Sequence, residues 1–183
     1  RVVLAEKPDW VLVYGDTNST LAGALAAVKL GVSLAHVEAG LRSYNRTMPE
    51  EHNRVLTDHC SDLLFCPTET AVRNLAKEGI QRGVHFVGDT MYDAVLMFRD
   101  VARERSTVLK DLDLKPKQYL LATVHRPYNT DSQEGMANIL AALQRLGEIV
   151  VFPVHPRTRE AIRRFGLQPA SGNLRLMDPV GYL

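Results

Sequence analysis

Short runs of branched and aromatic residues alternate along this chain with longer segments that have helical periodicity and helix-capping signals. The first four such runs cover residues 9–14, 32–37, 62–66 and 84–87. Strands that alternate with helices in this way pair in parallel, because each helix returns the chain to the edge from which the previous strand began. The pattern therefore predicts an α/β fold with parallel sheets. The predicted helices cover residues 18–30, 50–60, 68–77, 91–103, 133–147 and 157–165.

A change in composition divides the chain into two parts. Residues 102–118 contain Arg-Glu-Arg and Lys-Pro-Lys with little apolar periodicity, which is typical of a connection between domains. We predict a first Rossmann-like domain over residues 1–104, a linker over 105–117 and a second Rossmann-like domain over 118–183. Two such βα layers commonly leave a ligand-binding cleft between them. The predicted strands of the second domain are 119–124, 149–154 and 174–177.

Composition argues against several classes of function. With a net charge of +1 over 183 residues the chain has no polybasic surface, so we expect neither nucleic acid nor a membrane as a partner. No apolar run is long enough to span a bilayer. Cys60 and Cys66 have the spacing of neither a disulfide framework nor a zinc site, so we expect reduced thiols and a cytoplasmic location. The chain starts at Arg1 within a helical pattern, and residues 178–183 resemble the opening of another unit, so we expect a piece of a longer protein.

Acidic residues follow the first two predicted strands. Asp16 comes in Gly15-Asp16-Thr17 after the first strand, and Glu38 follows the second. Glu50 belongs to a third acidic cluster at a predicted helix start, directly after Pro49. Because open α/β sheets bind ligands at the carboxyl ends of their strands, we expect these carboxylates to surround a ligand. Carboxylates that share a pocket have raised pKa values, which suits acid–base chemistry near neutral pH.

Each of these acidic residues also has a structural interpretation. Asp16 or Asn18 could cap the helix that follows, and Glu38 could form an ion pair with Arg42, four residues further on. Glutamates in a first helical turn, such as Glu50, are favoured by the helix dipole without any function. The sequence leaves both interpretations open.

The Gly-Asp-Thr pattern occurs a second time, at residues 88–90, after the fourth predicted strand. No acidic loop lies near this copy in the sequence, so we interpret it as a helix cap and turn. The same three residue types therefore carry two predictions, one functional and one structural.

Two basic motifs follow strands of the second predicted domain. His125 and Arg126 come after the first of these strands, and His155 comes after the next. Histidine exchanges protons near neutral pH and arginine holds phosphate through two parallel hydrogen bonds, although both residues could simply lie in a loop that caps a helix. No metal-ligand spacing, dinucleotide glycine motif, nucleophile elbow or Walker motif occurs.

Taken together, these segments resemble the bacterial, non-hydrolysing UDP-N-acetylglucosamine 2-epimerases over essentially the whole chain. The matching segments are Gly15-Asp16-Thr17, His36-Val37-Glu38-Ala39-Gly40-Leu41-Arg42, Pro49-Glu50-Glu51-His52-Asn53-Arg54, Pro67-Thr68-Glu69 and Thr123-Val124-His125-Arg126. The resemblance implies two glycosyltransferase-B-like domains, both incomplete in this chain, with a nucleotide sugar bound between them. It implies reversible conversion of UDP-N-acetylglucosamine (UDP-GlcNAc) into UDP-N-acetylmannosamine (UDP-ManNAc), by elimination and re-addition of UDP, for the synthesis of cell-surface polysaccharides.

The resemblance also implies roles for single residues. Asp16, Glu38 and Glu50 are the acid–base candidates, and His125 is a catalytic residue on the nucleotide side. Asp16, Glu38 and His125 are expected to bind substrate together with Arg126. The expected ligands are UDP-GlcNAc, UDP-ManNAc and UDP, with no metal and no cofactor. A second UDP-GlcNAc that acts as an allosteric activator, and a homodimer, are further expectations.

The sequence departs from the family pattern at some positions. Tyr128 stands where the family usually has an acidic residue, and the sequence contains neither the N-terminal phosphate-binding loop nor the C-terminal Ser-Gly-Gly segment of the family. Alternative functions on the same architecture are therefore a hydrolysing epimerase, a glycosyltransferase or a non-catalytic nucleotide-sugar-binding protein.

Overall fold

The computed structural model describes residues 1–169 and 172–182. The chain divides into two compact units, Arg1–Met97 and Phe98–Leu183, and the division falls inside a helix, α5 (Thr90–Arg105). The predicted linker 105–117 contains the short helix α6 (Val108–Asp111). The boundaries predicted for the two domains stay a prediction.

The first unit is built on four parallel strands in the order β1-β2-β3-β4. They are β1 (Trp10–Tyr14), β2 (Ser33–Val37), β3 (Leu63–Cys66) and β4 (Val84–Phe86). The remaining helices of this unit are α1 (Val2–Glu6), α2 (Asn18–Lys29), α3 (Pro49–Cys60) and α4 (Glu69–Lys77). The predicted alternation of strands and helices is thus confirmed for this unit, and all four carboxyl ends lie at one edge of the sheet.

Two clusters of buried side chains fix the helices on this sheet. Leu34 of β2 packs with Val13, Ala24 and Ala27, because the alanines of α2 let the helix lie close to the strands. The second cluster joins β3 to α4 and contains Ala39, Leu64, Cys66, Ala71 and Leu75. Burial of these side chains is the main stabilising contribution of the unit.

Polar side chains define the ends of the helices. Thr68 caps α4 as its position predicts, accepting the N–H of Ala71 at 3.1 Å. The predicted cap of α2 is wrong, because Thr17 and not Asp16 or Asn18 is its N-terminal cap, in a reciprocal pair with Thr20. The carboxylate of Asp16 is therefore left for another partner.

The second unit has three parallel strands in the order β5-β6-β7. They are β5 (Leu120–Leu121), β6 (Val150–Pro153) and β7 (Leu174–Met177), and the helices after α6 are α7 (Pro127–Thr130), α8 (Gln133–Gln144) and α9 (Pro156–Arg164). The predicted strand 119–124 is too long, because β5 is an edge strand whose ladder ends where Ala122 donates to the carbonyl of Val151 at 2.9 Å. The core contains Met136, Leu140, Val150, Phe152, Val154 and Leu174.

Within the part of the chain that the structure describes, no helix is long and apolar enough to span a membrane.

Candidate active site

The carboxyl edge of the first sheet carries a cavity that is lined by residues after all four strands, with Pro67 directly after β3. Gly15 follows β1, Glu38 follows β2, and Asp89 follows β4 after one short loop. The full lining is Tyr14, Gly15, Val37, Glu38, Pro67, Val87, Gly88, Asp89, Thr90 and Met91. The cavity therefore lies where parallel α/β sheets bind ligands.

Glu38 adopts a backbone conformation that side chains other than glycine rarely occupy. Its φ is +73°, and its N–H and that of Ala39 both donate to the carbonyl of Phe65 at 3.1 Å. A left-handed, non-glycine residue costs of order 1–3 kcal/mol and persists only where its surroundings enforce it. Here the conformation sets the carboxylate against Gly15, where an added Cβ would lie only 3.3 Å from Oε2. The backbone of Glu38 is thus strained where its carboxylate borders the Gly15-Asp16-Thr17 turn after β1.

The surroundings of Glu38 raise its pKa above the ordinary value of a glutamate. Partial burial is the largest cause, followed by the negative charges of Asp16 and Asp89, while Arg54 and His36 act in the opposite direction. A carboxyl group with a raised pKa can both accept and release a proton near neutral pH. This is the property that the sequence predicted for the acidic edge.

Asp16 forms an ion pair with Arg54 of α3 instead of capping α2. Arg54 also lies 3.4 Å from Glu51, and the side-chain amide of Asn53 donates to the backbone carbonyl of Asp16 at 2.9 Å. The same amide donates to the side chain of Asn18 at 3.0 Å. Helix α3 therefore holds both the backbone and the carboxylate of Asp16, and the charge of Asp16 acts on Glu38.

Glu50 lies in the first turn of α3, four residues before Arg54. Residues three and four positions apart share a helix face, so Glu50 lies on the side of α3 that carries Asn53 and Arg54 toward Asp16. Among the described residues its side chain makes no hydrogen bond or ion pair. Its predicted catalytic role stays a prediction.

Glu51, next to Glu50, has a structural role instead. Its carboxylate accepts the N–H and hydroxyl of Ser43 at 2.9 and 2.8 Å and the N–H of Tyr44 at 2.8 Å. Burial of Glu51 opposes ionisation, but these hydrogen bonds and Arg54 lower its pKa on balance. It holds the loop between β2 and α3 in place.

A buried polar network supports the loop that carries Glu38. Asp58 of α3 lies 2.7 Å from Nδ1 of His36, accepts the N–H of Gly40 at 3.0 Å and pairs with Arg42 at 2.7 Å. Arg42 also pairs with Glu78 at 2.7 Å, so burial, which would lower the pKa of Arg42, is outweighed by the two carboxylates, which raise it.

The ion pair between Glu38 and Arg42 that the sequence left open is therefore wrong. A spacing of four residues predicts contact only on a helix, and residues 38–42 form a loop. The network was missed because Asp58 lies 22 residues from His36, although the sequence motif does contain His36 and Arg42.

Gly40 is the point at which this loop touches α4. Its φ is +77°, and an added Cβ would lie 2.5 Å from the backbone oxygen of Ala71. The carbonyl of Gly40 also accepts the side-chain amide of Asn74 at 3.0 Å. Only glycine fits both the conformation and this close approach.

Asp89, in the second Gly-Asp-Thr turn, has two roles. It accepts the N–H groups of Met91 and Tyr92 at 2.8 and 3.4 Å, which confirms its interpretation as a helix cap. Its second property has no sign in the sequence: Asp89 lines the same cavity as Glu38, and its charge adds to burial and Asp16 in raising the pKa of Glu38. The register of β4 beside β3 brings Asp89 to this cavity, and no local sequence pattern reveals that register.

In the second unit, His125 and Arg126 lie in the loop after β5 and are exposed. The hydroxyl of Thr158 donates to the carbonyl of Val124, which anchors the start of this loop on α9. The ring of His125 lies 5.3 Å from that of His155, and the guanidinium of Arg126 makes no polar contact with the described residues. Nδ1 of His125 also lies 3.4 Å from the hydroxyl of Thr123, so its ring is held within the loop, while both predicted side chains stay exposed.

Arg157 of α9 fixes the other end of the same loop. Its Nε donates to the hydroxyl of Thr130 at 3.0 Å, and its Nη2 donates to both carboxylate oxygens of Asp131 at 2.9 Å. Tyr128, the departure from the family pattern, lies between these anchors in α7 with 77% of its surface exposed.

The remaining predictions concern thiols and metals. Cys60 is partly buried and Cys66 is buried, both are free thiols, and burial raises the pKa of Cys66 to about 11. Across residues 1–169 and 172–182, the structure has no cluster of three or more His, Cys, Asp or Glu side chains that could hold a metal ion.

The two units are parallel α/β layers, which defines a Rossmann-like protein. Interacting carboxylates at the carboxyl edge of the first sheet form its candidate acid–base site. The chain belongs to the UDP-N-acetylglucosamine 2-epimerase family, whose model matches residues 1–183. This confirms the resemblance seen in the sequence, together with the α/β, glycosyltransferase-B-like fold class.

Three relatives show how far the similarity extends. The chain is 53% identical to a UDP-N-acetylglucosamine 2-epimerase homolog of Methanococcus maripaludis, matching 100% of this chain and 52% of the relative. It is 50% identical to the UDP-2,3-diacetamido-2,3-dideoxy-D-glucuronate 2-epimerase of Pseudomonas aeruginosa, over 100% of this chain and 51% of that protein. A crystal structure of Methanocaldococcus jannaschii UDP-GlcNAc 2-epimerase in complex with UDP-GlcNAc and UDP superposes with a TM-score of 0.87 at 43% identity, over 99% and 52% of the two chains. The chain thus spans about half the length of these relatives.

Proposed function

We propose that the full-length protein inverts C2 of a UDP-linked 2-acetamido sugar, with UDP-GlcNAc and UDP-ManNAc as the two partners of the equilibrium. The proposal rests on the carboxylate of Glu38, which lines the cavity on a strained backbone. Burial and the negative charges of Asp16 and Asp89 raise the pKa of this carboxyl group. The relatives named above, two of which carry UDP-GlcNAc 2-epimerase in their names, support the choice of substrate.

The chemistry of the substrate explains why acid–base groups are required. The hydrogen on C2 is not adjacent to a carbonyl group, so its direct removal would be very slow. If the bond from C1 to the diphosphate oxygen breaks as the C2 proton leaves, the electron pair of the C–H bond forms a C1=C2 double bond. The products of this step are 2-acetamidoglucal, UDP and a protonated carboxyl group. Re-addition of UDP to C1 with a proton delivered to the opposite face of C2 completes the inversion.

The residues divide between these steps. Glu38 and Asp16 exchange protons at C2, and Glu50 is the third acid–base candidate, on the face of α3 that leads to Asp16. His125 and Arg126 serve the nucleotide, because departing diphosphate develops negative charge that basic groups stabilise. No metal or other cofactor is required by this route. The homodimer, the allosteric UDP-GlcNAc, the cytoplasmic location and the supply of cell-surface polysaccharide stay predictions.

A second candidate substrate is UDP-2,3-diacetamido-2,3-dideoxy-D-glucuronate. The relative from Pseudomonas aeruginosa that carries this name is 50% identical to the chain, against 46% and 45% for two relatives named UDP-N-acetylglucosamine 2-epimerase. Its sugar differs from GlcNAc at C3 and C6 and not at the reacting carbon, so the same carboxylates would serve both.

The test is product analysis by ¹H NMR, after incubation of the full-length protein with each sugar nucleotide in turn. We expect the 2-epimer with UDP still attached, from UDP-GlcNAc in preference to the diacetamido substrate. Preference for the latter would establish the second candidate. Free N-acetylmannosamine together with UDP would identify a hydrolysing epimerase. Transfer of the sugar to an added acceptor would identify a glycosyltransferase, and binding without turnover would identify a non-catalytic protein. Each of these three results would overturn the proposal.

A matched pair of variants links the activity to the site. Glu38→Gln removes a titrating carboxyl group from the cavity, and we expect kcat to fall about 10²- to 10⁴-fold, with UDP affinity little changed. Glu69→Gln makes the same substitution at a side chain of α4 that is 73% exposed, and we expect its kcat to equal that of the wild type.

A further inference from the structure

His36 lies in the centre of the first sheet with hydrogen-bond partners at both ring nitrogens. Its Nδ1 is 2.7 Å from Oδ1 of Asp58, and its Nε2 is 2.8 Å from the carbonyl oxygen of Gly15. His36 has 0% of its surface exposed and Asp58 has 1%, so water competes for neither contact. The proton arrangement in this pair can therefore be derived from its partners.

The partners require a hydrogen on each ring nitrogen. A backbone carbonyl only accepts hydrogen bonds, so Nε2 of His36 donates to Gly15. The other oxygen of Asp58 accepts the N–H of Gly40 at 3.0 Å and the guanidinium of Arg42 at 2.7 Å. These two donors favour the ionised carboxylate, which has no hydrogen to give to Nδ1. Nδ1 therefore donates as well.

We propose that His36 is a buried imidazolium, held by Asp58, that positions the Gly15 turn against the carboxylate of Glu38 and supplies a fixed positive charge beneath the acidic edge. His36 and Arg42 face the carboxylates of Asp58 and Glu78, and Glu78 also lies 3.1 Å from the exposed ring of His59. His36 is thus a positioning residue, which acts on the chemistry through Gly15 and Glu38.

Two consequences follow for Glu38. An added Cβ at Gly15 would lie 3.3 Å from Oε2 of Glu38, so the turn borders the carboxylate and a shift of the turn changes the space around the acid. Asp16 and Asp89 raise the pKa of Glu38, while Arg54 and His36 lower it. If the charge of His36 is removed, the pKa of Glu38 rises further.

The protonation of His36 is tested without any substrate. The full-length protein is labelled with ¹⁵N-histidine, and one-bond N–H couplings are recorded at neutral pH. We expect a directly bonded hydrogen on both ring nitrogens of His36. An Nδ1 without a bonded hydrogen would place the proton on Asp58, and an Nε2 without one could not donate to the carbonyl of Gly15. Either result would overturn the proposal. The signal is assigned from its loss in His36→Gln or, if that variant does not fold, from its shift in Asp58→Asn.

The positioning role is tested by kinetics, and this part rests on the proposed function. For His36→Gln we expect kcat to fall about 10- to 100-fold with KM within about twofold, as for a small displacement of a reacting group. The acidic limb of the profile of kcat against pH should also move to higher pH, because loss of the charge of His36 raises the pKa of Glu38. If His36 had only a structural role, this limb would not move. A fall in kcat with an unmoved limb would overturn the charge role.

The control is His52→Gln, at an exposed position of α3, for which wild-type kcat is expected. If wild-type protein shows no turnover, the proposed function fails, while the NMR result still decides the state of His36.

Discussion

The two Gly-Asp-Thr turns, residues 15–17 and 88–90, have the same sequence and line the same edge of one sheet, yet their aspartates do different work. Asp89 caps α5 through two backbone N–H groups. Asp16 leaves the capping of α2 to Thr17 and pairs with Arg54. A motif at a strand end therefore determines where a carboxylate lies, whereas the elements packed beside it determine which partners that carboxylate binds.

The most direct way to break this comparison is to remove the charge from each turn separately. Asparagine replaces aspartate as a helix cap with little loss, so Asp89→Asn keeps the cap and removes only charge. We expect kcat to fall about 10²- to 10⁴-fold in Asp16→Asn, as for loss of an acid–base group, and to change less than about threefold in Asp89→Asn. Steady-state kinetics on UDP-GlcNAc measure both. Equal losses would mean that the two turns are functionally equivalent.

The glycines of the two turns provide a second matched pair. Both have positive φ, +64° at Gly15 and +85° at Gly88, so alanine strains both backbones by about 1–2 kcal/mol. An added Cβ would meet Oε2 of Glu38 at 3.3 Å from Gly15 but nothing within 4 Å from Gly88. We expect Gly15→Ala to lower kcat at least about tenfold and Gly88→Ala to leave it within about twofold. Thermal unfolding of both variants is the control, and a similar loss of kcat in both would show that backbone strain alone is responsible.

Sequence reasoning succeeded where the signal is local. The alternation of branched strands and capped helices predicted the parallel α/β architecture, and strand ends predicted the edge that gathers Asp16 and Glu38. It failed where packing decides. The cap of α2 is one residue away from the predicted position, because Thr17 and Thr20 satisfy each other. The partner of His36 lies on a distant helix, so no spacing in the sequence could identify it.

The dependence of stability on pH distinguishes Glu38, beside the Gly15-Asp16-Thr17 turn, from Glu51, which holds the loop between β2 and α3. The folded-state pKa of Glu38 is raised, so its ionised form destabilises the fold above that pKa, and this loss disappears below about pH 4, where it is protonated in both states. We therefore expect Glu38→Gln to raise the free energy of unfolding at neutral pH and to leave it unchanged in acid.

The pKa of Glu51 is lowered, so its ionised form stabilises the fold above the ordinary glutamate pKa, and this contribution is lost as pH falls through the folded-state value. Glu51→Gln is expected to have the opposite sign, with a loss of about 1–3 kcal/mol at neutral pH that shrinks in acid. Urea unfolding at the two pH values measures both variants. The same sign for both would contradict the assigned environments.

We propose above that the carboxylate of Glu38 exchanges a proton at C2 of the sugar. Its most direct test is deuterium incorporation at C2 of the sugar nucleotide in D₂O, followed by NMR for wild type and Glu38→Gln. We expect deuterium at C2 with the wild type and an incorporation rate about 10²- to 10⁴-fold lower in the variant. Incorporation at the wild-type rate by Glu38→Gln would contradict it.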